Sequence, residues 1–327
     1  MTPRRVPGPA NRRVAVIVCD GVAMFELGIT LEVFALKRPE LGVPWYDVAV
    51  VSFDPPPLRG TGGIGITPTH SVRAIASAGT VVIPSWPRLD EAPPPAMLDA
   101  VRRAYARGAR LLSICSGAFV LAAAGLLDGR RATTSWWLAG LYRQRYPRVD
   151  LAVDELVVED GPVTTTGAAT AGYEATMRLI ELAGGEALAQ NTARLLLVDR
   201  QRQSQAPYIS LALAETARQP LSERAERWLQ KNLHESISIA ALAAHCRVSE
   251  RTLLRRFHAD FGATPLEYVQ KLRVERAKAL LESTALSFEE IVGRCGYQDV
   301  SSFRRLFKQV TQLTPNDYRD RFRLRGR

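Results

Sequence analysis

Between Ser238 and Tyr318 the chain writes one helical unit twice, and no other feature narrows its fold as much. The first copy reads SIAALAAHC, breaks at Arg247 and Val248, and continues as SERTLLRRF and then TPLEY. The second reads SFEEIVGRC, GYQD, VSSFRRLF and TPNDY. Cys246 and Cys295 lie 49 residues apart, whereas Leu253/Phe303, Phe257/Phe307, Pro265/Pro315 and Tyr268/Tyr318 each lie 50 apart, so the second copy carries one extra residue in its turn. Apolar positions at helical spacing on either side of a short polar turn predict two steeply crossing helices, the second presenting one face outward. Two helix-turn-helix units are expected side by side, at about 238–261 and 287–310.

Inside the first unit, Ile239, Leu242, Ala243 and Cys246 fall on one helical face and are expected to pack against Leu253 and Phe257 of the next helix. Ser249 is placed to cap that second helix, its hydroxyl accepting a bond from an otherwise unpaired amide. With Leu253 and Phe257 turned inward, Arg251, Thr252, Leu254 and Arg255 fall on the outward side; the same logic turns Ser301, Arg304 and Arg305 out in the second unit. Arginines at the end of a helix that enters a groove are suited to bidentate bonds with guanine O6 and N7. A merely solvated basic face on a helical bundle does not explain the duplication.

Charge supports the same direction. From Ser222 onward there are 20 Lys and Arg against 13 Asp and Glu, so +7 of the whole-chain +10 sits in about a third of the length. Basic excess gathered on the duplicated region is the electrostatic footprint of a phosphate-binding surface.

These residues, with the connector Leu266–Glu282 and the closing TPNDYR, resemble the AraC/XylS family of transcription regulators over about the last third of the chain. The resemblance implies that both units enter adjacent major-groove segments on one face of double-stranded promoter or operator DNA, about one helical turn (~34 Å) apart. It also implies that Arg251 and Arg255 lead the base reading, with Arg304 and Arg305 less strict and open to a phosphate role instead.

The remaining chain is long enough for a second core. At 327 residues with 46% hydrophobic content, two domains are expected. No apolar run approaches the ~20 residues of a membrane span, and the basic, proline-rich start lacks a signal-peptide core, so residues 1–12 are expected to form a flexible tail. Cys19, Cys115, Cys246 and Cys295 show neither a C-x-x-C pair nor metal-ligand spacing. Packing roles, no disulfides and a reducing cytoplasmic setting are the expectation.

Residues 13–198 alternate short apolar runs with helical patterns, which predicts an α/β domain with a parallel sheet covered by helices. Strands are expected at Arg13–Cys19, Tyr46–Phe53, Thr80–Pro84 and Arg110–Ile114, with a strand pair near Leu151–Glu159 and Pro162–Thr166. Helices are expected near Glu26–Lys37, Pro95–Arg107, Ser116–Ala124, Ser135–Tyr146, Ala171–Leu182 and Glu186–Val198. Asp54–Thr67 (DPPPLRGTGGIGIT) reads as a surface loop; its glycines lack the strand-G-x-G-x-x-G-helix order of a dinucleotide site. Residues 199–221 read as an inter-domain linker before an all-α domain at 222–327.

Cys115 is the one chemically suggestive residue of that first domain. It ends the apolar strand RLLSIC and precedes Ser116, Gly117 and the helix GAFVLAAAGLL. A side chain at a sharp strand-to-helix turn stands above the sheet edge, near a helix end whose dipole favours thiolate. Through this turn, DGVAMFELGITLEVF, AAAGLLDGRRATT and TTGAATAGYEAT, the segment Arg13 to about Val198 resembles the PfpI branch of the class I glutamine amidotransferase-like superfamily, which implies a flavodoxin-like α/β fold.

The resemblance places a nucleophile at Cys115 and a glutamate at Glu26. Where fused regulators of this type read TTHW, this chain reads Thr133, Thr134, Ser135, Trp136, so a serine stands where a histidine base is expected. A hydroxyl does not accept a proton near neutral pH as imidazole does. The expectation is a non-catalytic domain for dimerisation or ligand sensing, with no cofactor and no metal, and with RNA polymerase as a further partner of the regulator. The alternative is a cysteine-dependent amidase or glyoxalase-like enzyme carrying a DNA-binding tail.

Overall fold

The computed structural model describes residues 11–196, 204–209, 220–235 and 237–323. The chain separates between Gln205 and Ala206 into two compact units. Expectations for residues 1–10, for most of the 199–221 segment and for Val198 lie outside the described residues.

The first unit is an α/β layer structure. Its elements are β1 (Arg13–Val18), α1 (Met24–Phe34), β2 (Asp47–Ser52), β3 (Leu58–Arg59), β4 (Gly65–Ile66), β5 (Thr80–Ile83), α2 (Pro95–Ala106), β6 (Arg110–Ile114) and α3 (Ala118–Ala123). There follow β7 (Arg131–Ala132), α4 (Ala139–Arg145), β8 (Asp150–Leu151), β9 (Val157–Asp160), β10 (Val163–Thr166), α5 (Ala171–Gly184) and α6 (Glu186–Leu195). Six strands pair in the order β2-β1-β5-β6-β10-β9, all parallel except the antiparallel edge pair of β9 and β10. Strands β1, β5 and β6 lie in the sheet's interior and are buried along nearly their whole length, which is why they read as continuous apolar runs rather than alternating ones.

Three local expectations are corrected. The Asp54–Thr67 stretch is not simply a loop: β3 and β4 pair as a short antiparallel hairpin, and Leu58 is buried in the core. The apolar pattern near Leu151–Glu159 splits in two, because β8 pairs with β7 in a separate small sheet and only β9 joins the main one. The helix expected from Ser135 begins as a 3-10 turn at Trp136–Leu138 before α4 takes over.

The second unit is helical: α7 (Pro220–Lys231), α8 (Ile239–Cys246), α9 (Glu250–Phe261), α10 (Pro265–Ser283), α11 (Phe288–Arg294), α12 (Val300–Thr311) and α13 (Pro315–Phe322). The duplication in sequence becomes two separate apolar cores. Leu242, Ala243, Cys246, Leu253 and Phe257 cluster with Tyr268, Val269 and Leu272 from the first half of α10. Phe288, Ile291, Val292, Cys295, Phe303 and Phe307 cluster with Val274, Ala277 and Leu281 from its second half, and with Tyr318. The 19-residue α10 therefore serves both cores without a break.

Its start is fixed by a reciprocal cap, Thr264 with Glu267, behind Pro265 in the first turn, and Ser287 with Glu290 repeats the device at α11. Each core also buries a tyrosine whose hydroxyl donates to a carboxylate on a preceding helix, Tyr268 to Glu226 and Tyr318 to Glu282.

Both turns open on a left-handed residue one position past the cysteine, Arg247 at φ 54° and Gly296 at φ 75°, so the extra residue of the second turn falls after it, where Tyr297 and Gln298 stand before the Asp299 cap in place of Val248 before Ser249. A Cβ on Gly296 would stand 2.4 Å from the Leu233 carbonyl oxygen. Gly296→Ala is expected to cost more than ~1 kcal/mol, from clash and φ together, read as a lowered urea midpoint of the second unit. An unchanged midpoint would mean that the chain beside Leu233 yields freely.

Among the described residues no helix is long and apolar enough to cross a membrane, and no cluster of three or more metal-ligating side chains occurs.

Candidate functional site

The two second helices of the duplicated units carry the outward-facing residues. Ser249 caps α9 by accepting from the Thr252 amide at 3.2 Å, as expected, and its hydroxyl donates to the Thr252 hydroxyl at 3.0 Å. With Leu253 and Phe257 fully buried, Arg251, Leu254 and Arg255 are exposed and Thr252 is half-buried at the cap. Neither Arg251 nor Arg255 makes a hydrogen bond or ion pair among the described residues. Two unpartnered guanidinium groups one helical turn apart thus stand on one face.

In the second unit Asp299 caps α12 by accepting from the Ser302 amide, and those hydrogen bonds hold its carboxyl below the usual range. Ser301, Arg304 and Arg305 are exposed there. The Arg304 guanidinium lies 3.7 Å from the Glu289 carboxylate, and Arg305 donates to the Ser302 hydroxyl at 3.1 Å.

The basic excess of this region is not all surface charge. Arg224 donates to the Cys246 carbonyl at the end of α8, Arg273 donates to the carbonyls of Leu233 and Glu235, and Lys278 is buried beside Glu275. Arg224 and Arg273 tie their helices to neighbouring backbone while Lys278 lies inside, and a count of basic residues does not separate them from Arg251 and Arg255.

In the first unit the structure brings Cys115, Ser135 and Glu26 to one place. β6 ends at Ile114, and Cys115 takes φ 52° in a single 3-10 turn that leads into α3. This strained turn is held on several sides. The Thr134 hydroxyl donates to the Cys115 carbonyl at 2.9 Å, the Trp86 amide donates to the Ser116 hydroxyl at 2.9 Å, and Gly117 lies so close to the Ile83 carbonyl that a Cβ would stand 2.3 Å from it.

Burial pushes the Cys115 thiol up to about 11; a hydrogen bond with Ser135 works against that, and the Glu26 carboxylate adds to it. Burial likewise raises the Glu26 carboxyl. The expected dipole preference for thiolate is therefore outweighed: α3 has six residues, and desolvation of the charged form dominates. Alkylation of Cys115 by iodoacetamide is expected to be slow at pH 7–8 and still rising past pH 10. Ser135→Ala should shift the profile to still higher pH, since it removes the contact that favours thiolate. A rate that levels off below pH 8 would contradict this.

His70 is not part of the group. It is exposed beside β2, where its amide donates to the Val50 carbonyl at 3.1 Å. Three strand spacings, on the order of 14 Å, separate β2 from β6. The sequence did not point to Gln205. Its side-chain amide is buried and donates to the Thr134 carbonyl at 3.1 Å and the Val153 carbonyl at 2.6 Å, beneath the strand-to-helix segment that carries Ser135.

Residues 12–182 match the DJ-1/PfpI family and residues 242–321 match a helix-turn-helix domain. The HTH-type transcriptional regulator GbdR of Pseudomonas aeruginosa is 24% identical over 95% of this chain and 86% of its own length. The HTH-type transcriptional regulator GlxA of Rhizobium meliloti is 29% identical over 68% of each. A putative transcriptional regulator protein from Vibrio parahaemolyticus shares the fold of the first unit, at a TM-score of 0.52 and 23% identity over 57% of this chain and 99% of that one. With more than half its length matched, the chain belongs to the DJ-1/PfpI family, and its duplicated helical tail makes it an AraC-type, DNA-binding transcriptional regulator.

Proposed function

We propose that the outward faces of α9 and α12 read successive major-groove segments of one double-stranded operator. Arg251 and Arg255 supply the leading base contacts, Leu254 offers an apolar contact suited to a thymine methyl, Thr252, Ser301 and Arg305 complete the interface with base or phosphate contacts, and Arg304 lies toward the phosphate backbone. The observation that carries this reading is the pair of unpartnered, exposed arginines one turn apart on α9. Phosphate contacts set overall affinity and its fall with salt.

The DJ-1/PfpI unit serves dimerisation or ligand sensing rather than catalysis. Supporting this, the Cys115 thiol is buried and favoured in its neutral form, and Ser135 occupies the position where the base would stand. Joining two copies raises the effective concentration of the second tail at a paired site. Work in a reducing cytoplasm suits the four buried, unpaired cysteines, and RNA polymerase is the natural further partner of a promoter-bound regulator.

Selecting bound sites from random duplexes with the full chain tests the reading. An asymmetric motif with a strongly preferred guanine in one half is expected. Equal affinity for selected and random duplexes at fixed salt would overturn it.

A further inference from the structure

The duplicated units differ at two aligned positions that meet in space. Where the first unit has Ala240 and Leu254, the second has Glu289 and Arg304. The Arg304 guanidinium lies 3.7 Å from the Glu289 carboxylate and 5.3 Å from the centroid of the Phe288 ring, so it is folded back against α11. Its first-unit neighbours Arg251 and Arg255 have no such tether. An exposed ion pair is weak in isolation. Here, though, it competes directly with a groove contact: to reach a base edge, Arg304 must leave both the carboxylate and the ring, and Glu289 is then left unpaired close to a polyanion. Discrimination by an unpaired charge of this kind acts on specificity more than on folding.

We infer that Glu289 is a specificity-determining residue that sequesters Arg304 and withholds it from the base edges of the second half-site. The inference rests on the groove-reading function proposed above. Glu289 sits in the first turn of α11 but outside the Ser287–Glu290 cap, so Glu289→Gln leaves that cap intact.

The test compares the full-length wild type, Glu289→Gln, Arg304→Ala and the double variant on duplexes bearing each base in turn across the second half-site, at one salt concentration. In the wild type, Arg304→Ala should change second-half base preferences by less than about twofold. Glu289→Gln should create a preference of about tenfold for one base at one position, the scale of a single bidentate contact. The double variant should lose it, since a pairwise effect vanishes when either partner is gone. The inference is overturned if Glu289→Gln leaves preferences unchanged, if it strengthens every duplex equally, or if Arg304→Ala alone flattens a preference already present. The Arg251→Ala/Arg255→Ala double variant, on duplexes bearing each base in turn across the first half-site, separates the two failures: retained first-half selectivity there would defeat groove reading itself, whereas its loss with an unresponsive Glu289→Gln defeats only the sequestering role.

Discussion

Arg251→Ala and Arg255→Ala are each expected to weaken binding to the preferred duplex by ~1–3 kcal/mol, about five- to 150-fold, and to relax the preference at one base position. The size follows from the geometry. Both guanidinium groups are exposed, free of internal partners and on the face opposite the buried Leu253 and Phe257, so alanine removes a base contact without disturbing the core. Anisotropy titrations at fixed ionic strength, repeated over single-base variants of the site, distinguish this from loss of a phosphate contact. A phosphate contact would weaken all sequences alike and lower the salt slope by about one. Unchanged site preference in both variants would remove these two residues from the role.

A second large effect is expected from Phe303→Ala. Phe303 is fully buried, 4.7 Å between ring centroids from Tyr297 and 6.1 Å from Phe288, and belongs to the core that α10 shares with α11, α12 and α13. Truncating such a ring costs ~3–5 kcal/mol, comparable to the whole stability of a small helical module. Because the other core contains none of these residues, the loss should be local. Hydrogen exchange should show amides of α11 to α13 unprotected while α8 and α9 keep their protection. Uniform loss across α7 to α13 would show instead that the two cores melt as one.

The helix-turn-helix pair was legible because its signals are local: a repeat, helical spacing and capping serines all lie within a few residues of one another. The interior strands β1, β5 and β6 were legible for a related reason, since strands buried on both faces are simply apolar runs. Short elements were not. The β3 and β4 hairpin hides in a segment of proline and glycine, and its one core residue, Leu58, carries no pattern by itself.

At the Cys115 turn the sequence singled out Glu26 and Ser135, which lie beside the thiol, but not the balance of their effects on it. A strand-to-helix turn announces a positive helix end, whereas the desolvation that prevails there depends on packing from distant parts of the chain. Gln205 was invisible for the same reason: a polar residue in a polar stretch gives no sign that its amide is buried against Thr134 and Val153. Charge counting failed similarly at Lys278, which contributes to the basic total yet lies inside.

The uninterrupted run of α10 through both cores has a mechanical corollary. At about 1.5 Å per residue it is a strut roughly 28 Å long, with no glycine, kink or loop to absorb a change of length. On the docking proposed above, with both units on one duplex, this strut sets the distance between the two halves as well as their letters. An operator whose halves are set one base pair too far apart would itself have to twist or bend to be held, the elastic work falling on the nucleic acid rather than on the polypeptide.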